Sequence, residues 1–182
     1  MRNGHGVEAR ALTTLVAAVL PRAWRRDSPW HGEAHWRCVA ATGLELGSEV
    51  DGADRAVVLC FGLLHDTRRE NETYDPGHGP RAERFAEELR AEGLLDLDDR
   101  RFDALGEALR LHSDGQVSAD PTIGACWDAD RLHLPRVSIE PDPTLFSTSA
   151  AHSAARLSAA AALREHGPPG WASLVAAVSA AG

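Results

Sequence analysis

Apolar residues recur every three to four positions along most of the chain, which is the spacing of one face of an α-helix. The first such segment covers residues 7–20 and meets Pro21, which should end or bend the helix. A second segment covers residues 31–46. A third, residues 55–65, is so apolar that it is predicted to lie at the centre of the fold.

The helical pattern continues through the rest of the chain. It returns over residues 81–90, 102–111 and 123–134, and again in two shorter segments at 150–163 and 171–180. Residues 70–79 contain an asparagine, an aspartate, a proline and two glycines, which predicts a polar loop. No window alternates apolar and polar positions as a half-buried strand does. The fold is therefore predicted to be all-α.

Size and charge restrict the classes of protein to which the chain can belong. Its 182 residues suffice for one medium-sized domain with a substantial core, so a single domain over residues 1–182 is expected. The net charge is −8, and all 19 basic residues are arginines. Binding to the phosphate backbone of nucleic acids favours a positive balance, so bulk nucleic-acid binding is not expected.

The cysteines and the apolar segments indicate a compartment. Cys38, Cys60 and Cys126 lie in apolar surroundings without CxxC spacing, as buried thiols of a reducing compartment do. No apolar stretch approaches the roughly 20 residues that cross a bilayer, and the N-terminus lacks the pattern of a secretory leader. We expect a cytoplasmic protein with no membrane partner, and a homodimer is left open.

The most apolar segment ends in a histidine followed by an aspartate, His65 and Asp66. Unprotonated imidazole and carboxylate groups are ligands of divalent metal ions when they converge with ligands from other parts of the chain. Adjacent residues can both reach one ion only near a helix end, which is where this pair is predicted to lie. A His-Asp dipeptide alone is common, so a metal site needs further ligands.

Further candidate ligands lie on separate predicted helices, His35 before the pair and Asp130 after it. Three segments carry a resemblance: HGEAHWRCV at residues 31–39, LLHD at residues 63–66 and ADRLH at residues 129–133. They resemble the signature segments of the HD-domain superfamily of metal-dependent phosphohydrolases. The resemblance implies a compact multi-helix bundle with a metal site between its core helices.

The resemblance also implies which residues bind the metal and which part of the chain forms the core. The implied ligands of the ion are His35, His65, Asp66 and Asp130. The core motifs span about residues 30–134, and residues 144–182 are left as a helical extension. The cofactor is expected to be a divalent ion, and manganese, magnesium, zinc, nickel and iron all accept nitrogen and oxygen ligands.

Two of these assignments have alternatives. His31 could replace His35, but the four-residue step from His35 to the apolar Val39 matches the family's helix better, which leaves His31 to meet substrate or solvent. Asp128 and Asp130 point about 200° apart on a helix and cannot easily share one ion. Asp130 is favoured as the ligand, and Asp128 is expected to hydrogen-bond nearby, beside the substrate.

His78 and His112 bear on the number of ions. Some members of the superfamily add histidines at intermediate positions and hold a second metal. One ion is nevertheless the expectation here, with two as the alternative. As alternatives to metal binding, His78 is expected to be a loop histidine close to the substrate. His112 is expected to end a helix, where the helix dipole favours a histidine.

Three arginines near the pair are candidates for phosphate recognition. Arg68 and Arg69 follow Asp66 closely, and a guanidinium group matches two oxygens of a phosphate. Arg81 follows the predicted loop and is expected on the opposite side of the substrate. The predicted substrate-binding residues are therefore Arg68, Arg69, His78, Arg81 and Asp128.

The function that these residues favour is metal-dependent hydrolysis of a small phosphorylated molecule, a nucleotide being one candidate. Asp66 would direct the attacking water, and His31 or His112 would transfer a proton, because imidazole titrates near neutral pH. Two alternatives remain. One is a di-iron oxygenase, as found among relatives with additional histidines, and the other is a sensor that binds metal and nucleotide without turnover.

Overall fold

Eight α-helices and four short 3₁₀-helices make up the regular structure of the computed structural model, which describes residues 2–179. The α-helices are α1 (Arg2–Val19), α2 (Glu33–Glu49), α3 (Arg55–Leu64), α4 (His78–Ala91), α5 (Asp99–Leu111), α6 (Pro121–Arg131), α7 (Ala154–His166) and α8 (Trp171–Ser179). The 3₁₀-helices are Leu20–Arg22, Leu134–Val137, Pro143–Leu145 and Ser149–His152. The described residues contain no strand, which confirms the all-α prediction.

α3 is the central helix, as its apolar sequence predicts. The Asp54 carboxylate starts it by accepting hydrogen bonds from the backbone N–H groups of Ala56 and Val57. From Ala56 to Leu64 every residue is buried. α1, α2, α5, α6 and α8 all pack against it. The residues that follow the last turn of α3, His65 and Asp66, therefore lie in the interior of the bundle.

α2 and α3 approach each other closely because glycines face small or branched neighbours. A Cβ atom added at Gly62 of α3 would lie only 2.7 Å from Cα and Cβ of Ala40 on α2. At Gly43 of α2, an added Cβ would lie 2.6 Å from a methyl group of Val58. These contacts leave no room for a side chain, so the two glycines set the distance between the two central helices.

Two helix starts that involve histidines differ from the predicted ones. α2 begins at Glu33, so His31 precedes the helix, because the Ser28 hydroxyl accepts the backbone N–H groups of Trp30 and His31 and holds them in a turn. α4 begins at His78, inside the predicted loop 70–79. Its first turn tolerates Pro80, since backbone N–H groups there have no partner within the helix.

The C-terminal part of the chain is helical but differs in detail from the predicted segments. Residues 150–163 divide between the 3₁₀-helix Ser149–His152 and α7, with Ser153 as the residue that caps α7. α8 packs against α1, α2 and α3; Ala180, the last residue of the predicted terminal helix, lies outside the described residues. Across residues 2–179, no helix combines the length and the apolar character needed to cross a membrane.

Candidate metal centre

His65 and Asp66 lie where α3 ends, and both side chains are shielded from solvent. His65 is the residue that caps α3, its backbone N–H donating to the Phe61 carbonyl over 3.0 Å. The exposed fractions of His65 and Asp66 are 0% and 1%. Their polar groups therefore need partners inside the protein.

The first ligand group consists of His35, His65, Asp66 and Asp130, contributed by α2, the end of α3, and α6. Nε2 of His35 lies 3.1 Å from Nε2 of His65, 3.2 Å from Oδ1 of Asp130 and 3.6 Å from Oδ2 of Asp66. Oδ1 of Asp130 is buried and has no hydrogen-bond partner of good geometry. The four side chains thus direct nitrogen and oxygen atoms at one point.

The second ligand group consists of Asp66, His78 and His112, from the end of α3, the start of α4 and the end of α5. Nδ1 of His112 lies 2.8 Å from the Leu109 carbonyl, and Nδ1 of His78 is hydrogen-bonded to the Asp75 carbonyl. A carbonyl only accepts, so both Nδ1 atoms carry the proton and both Nε2 atoms of the neutral rings bear lone pairs. These Nε2 atoms are 2.8 Å apart. Two lone pairs at that distance repel unless a cation lies between them, so the group fits a metal ion.

Asp66 belongs to both groups and directs one carboxylate oxygen at each. Oδ2 lies 3.6 Å from Nε2 of His65 on the side of the first group, and Oδ1 lies 3.5 Å from Nε2 of His78 on the side of the second. The structure thus places His78 and His112 where both could bind a metal ion, the alternative that the sequence left open for them. Both also line the cavity, so the substrate-binding and proton-transfer roles stay predictions. The structure also offers two ligand groups where the sequence favoured one ion.

The buried histidines are held in the uncharged form that binds metals. Burial lowers the pKa of His35 and His65 below that of an ordinary histidine. The same cause lowers the pKa of His112, and it lowers the pKa of His78 to about 4. At neutral pH these imidazoles therefore present lone pairs without first losing a proton.

The two carboxylates carry their negative charge. Burial by itself raises the pKa of Asp66, but the neighbouring His65 and the hydrogen bond from His31 outweigh it, so the pKa lies well below the ordinary value. The pKa of Asp130 also lies well below the ordinary value, because the nearby His35 and the charge of Arg136 outweigh the effect of burial. Neutral imidazoles and charged carboxylates together suit a divalent cation.

No family model, curated protein or solved structure matches this chain.

The chemistry of the site is set by its own side chains and by the space above them. A cavity of about 640 Å³ reaches the ligands from the surface, and its inner wall includes His31, Arg69 and Arg136. Tyr74 and Ile139, which are both exposed, lie at its outer part. The cavity has room for a small organic molecule as well as for ions.

His31 and Arg69 lie beside Asp66, on the side that faces the cavity. Nδ1 of His31 is 3.1 Å from Oδ2 of Asp66, so His31 contacts the shared carboxylate without entering either ligand group. Nη1 of Arg69 is 3.5 Å from Oδ1 of Asp66 and 3.3 Å from Nε2 of His78. Of the arginines predicted to bind substrate, the structure brings only Arg69 to the cavity.

Arg68 and Arg81 are directed elsewhere. Nη1 of Arg68 donates to the Arg22 carbonyl over 2.6 Å, and its guanidinium carbon lies 3.5 Å from the centre of the Phe85 ring. Arg81 donates to both oxygens of Asp75 over 2.6 Å, which fixes the loop before α4. Neither lines the cavity, and both make contacts that hold the surrounding structure, so their substrate-binding role stays a prediction.

Asp128 also departs from its predicted role beside the substrate. It is fully buried, and its carboxylate accepts hydrogen bonds from the backbone N–H groups of Ser147 and Thr148 and from the Thr148 hydroxyl, each over 2.8 Å. Burial raises the pKa of this carboxyl. The predicted opposition of Asp128 and Asp130 on α6 therefore holds, but Asp128 fastens the segment that follows the 3₁₀-helix Pro143–Leu145.

Two residues near the site were not singled out from the sequence, Arg136 and His133. Arg136 is brought to the cavity by the 3₁₀-helix Leu134–Val137, which turns the chain back after α6. His133 is fully buried, with Nε2 2.9 Å from the Thr42 hydroxyl and its ring 6.2 Å from that of His35. The sequence held a signal for both, since His133 ends the segment that carries Asp130 and Arg136 lies three residues further on.

Proposed function

We propose that this protein is a metal-dependent phosphohydrolase of the HD type, acting on a small phosphorylated molecule. One observation carries the proposal: two buried groups of histidines and carboxylates share Asp66 at the base of a cavity with arginines on its inner wall. The order of these ligands along the chain agrees with the resemblance found in the sequence. Buried uncharged imidazoles beside charged carboxylates are what a hydrolytic metal centre requires.

The residues divide the work as follows. His35, His65, Asp66 and Asp130 would hold one divalent ion, and Asp66, His78 and His112 a second. When bound, such ions neutralise charge on a phosphoryl oxygen and lower the pKa of a water molecule. The remaining tasks, binding the phosphate and moving protons, fall to side chains on the wall of the cavity.

Arg69 and His31 are suited to those tasks. The Arg69 guanidinium is anchored by a hydrogen bond from Nη2 to the Thr73 carbonyl over 2.7 Å and presents its Nη1 edge toward Asp66 and His78. It would attract and orient the phosphate. His31 is held by Asp66 through Nδ1 and lines the cavity, so it is placed to give a proton to the leaving group.

The proposal is tested by measuring phosphate release from a panel of phosphomonoesters and nucleotides in the presence of manganese, magnesium, nickel or iron. We expect His65→Ala and Asp66→Asn to lower the rate by more than about 100-fold, because each removes a ligand of the ions. His166→Ala, at an exposed position of α7, serves as the matched control and should keep the full rate. Equal activity of all four proteins would refute the proposal, and tight nucleotide binding without product would favour the sensor.

The number of ions is a separate prediction. We expect the protein loaded with manganese and desalted to hold two ions per chain, counted by elemental analysis. His112→Ala should lose the ion of the second group and keep the other, since His112 contributes only to that group. A single ion in the wild-type protein at saturating metal would return the site to the one-ion expectation.

A di-iron oxygenase is a second candidate, and the second ligand group is the observation that favours it. The histidines of that group, His78 and His112, are additions of the kind that the sequence resemblance associates with oxygenases. Oxygen consumption by the iron-loaded protein with a polyol or a phosphonate, without phosphate release from the ester panel, would establish this alternative. Phosphate release without oxygen consumption would exclude it.

A further inference from the structure

Arg136 is fixed at the inner wall of the cavity by two backbone carbonyls. Its Nε donates to the Trp30 carbonyl over 2.8 Å, and its Nη1 donates to the His133 carbonyl over 3.1 Å. These two anchors come from the turn before α2 and from the end of α6, the helices that supply His35 and Asp130. The plane of the guanidinium is thereby set relative to the first ligand group.

The remaining donors of Arg136 have no short acceptor within the described part of the chain. Nη2 lies 3.8 Å from Oδ2 of Asp66 and 3.5 Å from Nδ1 of His31, and Nη1 lies 3.6 Å from Oδ1 of Asp130. The two carboxylate distances exceed hydrogen-bond length, and the third is at its outer limit. The side chain is only 10% exposed, so these donors are largely removed from water.

The charge of Arg136 is balanced at present by Asp66 and Asp130, the same carboxylates that would bind an ion. Once an ion takes up that negative charge, the guanidinium needs another anion, because a buried cation without a partner is costly. The anion must fit a planar fork of N–H groups, which a phosphoryl group does with two of its oxygens. Arg69 lies on the other side of Asp66, beside the second ligand group.

We propose that Arg136 binds a phosphoryl oxygen of the substrate above the first ligand group, opposite Arg69. The inference rests on the proposed hydrolase function and names a residue for its substrate. Arg131, which also borders the cavity, does not compete for this role, since its guanidinium already donates to the Leu145 and Gln116 carbonyls. The phosphoryl group is thus held between two arginines that flank the shared carboxylate.

The test measures the binding of inorganic phosphate to the manganese-loaded protein by calorimetry, so that it does not depend on turnover. We expect Arg136→Gln to weaken phosphate binding by at least about tenfold, because the charged pair of N–H donors is lost. Arg136→Lys, which keeps the charge, should restore part of the affinity. Arg84→Gln, at an exposed position of α4, should bind phosphate as the wild type does. Elemental analysis of each protein verifies that the metal content is unchanged.

Several results would overturn the assignment. Phosphate affinity of Arg136→Gln within twofold of the wild type, at equal metal content, shows that Arg136 does not contact the anion. Loss of metal from both Arg136 variants shows instead that the residue supports the metal ligands. Phosphate binding that depends on Arg136, without hydrolysis of any ester, would retain this inference and refute the hydrolase. Hydrolysis of an ester by the wild type, with an unchanged phosphate affinity in Arg136→Gln, would refute this inference and retain the hydrolase.

Discussion

At the scale of single residues, the position of a histidine relative to its helix decides which ring nitrogen faces the metal centre. His65, His78 and His112 each place Nδ1 against the carbonyl of the residue three positions earlier. At the C-terminal ends of helices such carbonyls lack a backbone partner within the helix. The Asp75 carbonyl, in the turn before α4, also accepts the backbone N–H of His78 over 3.3 Å. His35 lies inside α2, where those carbonyls are occupied, and its Nδ1 is buried without a partner. In histidines at helix ends, the contact of Nδ1 with a backbone carbonyl therefore directs Nε2 at the metal centre.

The pH dependence of stability tests how strongly burial acts on His133. Burial, reinforced by the charges of Arg164 and Arg136, lowers its pKa from 6.5 to about 3. The unfolded chain takes up this proton below pH 6.5 and the folded chain does not, so stability decreases as the pH falls below 6.5. Between pH 7 and pH 5, His133 should account for about 2 kcal/mol of lost unfolding free energy in the metal-free protein.

His133→Gln supplies the comparison for that measurement. Denaturant unfolding of both metal-free proteins at pH 5, 6 and 7 should give a shallower decline for the variant, since glutamine does not titrate. Declines of equal steepness would mean that His133 takes up its proton in the folded protein as readily as in the unfolded chain.

The sequence predicts the candidate site in part: the resemblance selects the ligands, and helical periodicity places them. The spacing of His35, His65 and Asp130 on separate helices, and the opposed directions of Asp128 and Asp130, follow from 3.6 residues per turn. The direction of Arg68 does not, because it depends on the Phe85 ring and the Arg22 carbonyl, which are distant in sequence. Arg136 was missed for the same reason, since its position depends on an irregular turn.

At the scale of helices, the close approach of α2 and α3 positions the first ligand group. Gly62 lies against Ala40, one and a half turns from His35 on α2, and the Gly62 carbonyl is also the partner of Nδ1 of His65. The apolar periodicity predicts both helices but not how closely they approach. It also leaves the starts of α2 and α4 uncertain, because those are set by a serine hydroxyl, a glycine and a proline in the adjoining turns.

Gly62→Ala tests whether this contact sets the site. The added methyl group would press into the α2 backbone, so we expect the unfolding free energy to fall by about 1–3 kcal/mol. Metal affinity should fall as well, because α3 would be displaced and His65 with it. Gly47→Ala is the matched control: an added Cβ there would meet its nearest atom at 3.7 Å, so stability should stay level or rise by up to about 1 kcal/mol. Equal changes in unfolding free energy for the two substitutions would show that α2 and α3 can move apart at little cost.

At the scale of the whole molecule, the two ligand groups connect most of the bundle. Their side chains come from α2, from the ends of α3 and α5, from the start of α4 and from α6, which are separated in sequence by long stretches. An ion that binds this arrangement and not the unfolded chain therefore stabilises the folded bundle as a unit. α1 and α8 contribute no ligand and pack against α3.

Metal loading should accordingly raise the stability of the whole fold. At a free ion concentration 100 times the dissociation constant, the unfolding free energy should increase by about 2.7 kcal/mol per ion. Thermal or denaturant unfolding of the chelator-treated and manganese-saturated proteins gives this difference. His65→Ala should show a much smaller gain, and an identical midpoint for wild type with and without metal would contradict the expectation.

The position of Asp66 between the two groups has a consequence for how the centre fills. Asp66 supplies one oxygen to each side, so two dications would share its charge, and only the first group has a second carboxylate, Asp130. The first ion to bind neutralises most of the Asp66 charge. The second ion then binds against electrostatic repulsion from the first at short range. We therefore expect stepwise loading with two unequal dissociation constants, and a half-filled centre when the metal is scarce. The supply of metal would then regulate how many molecules are fully loaded.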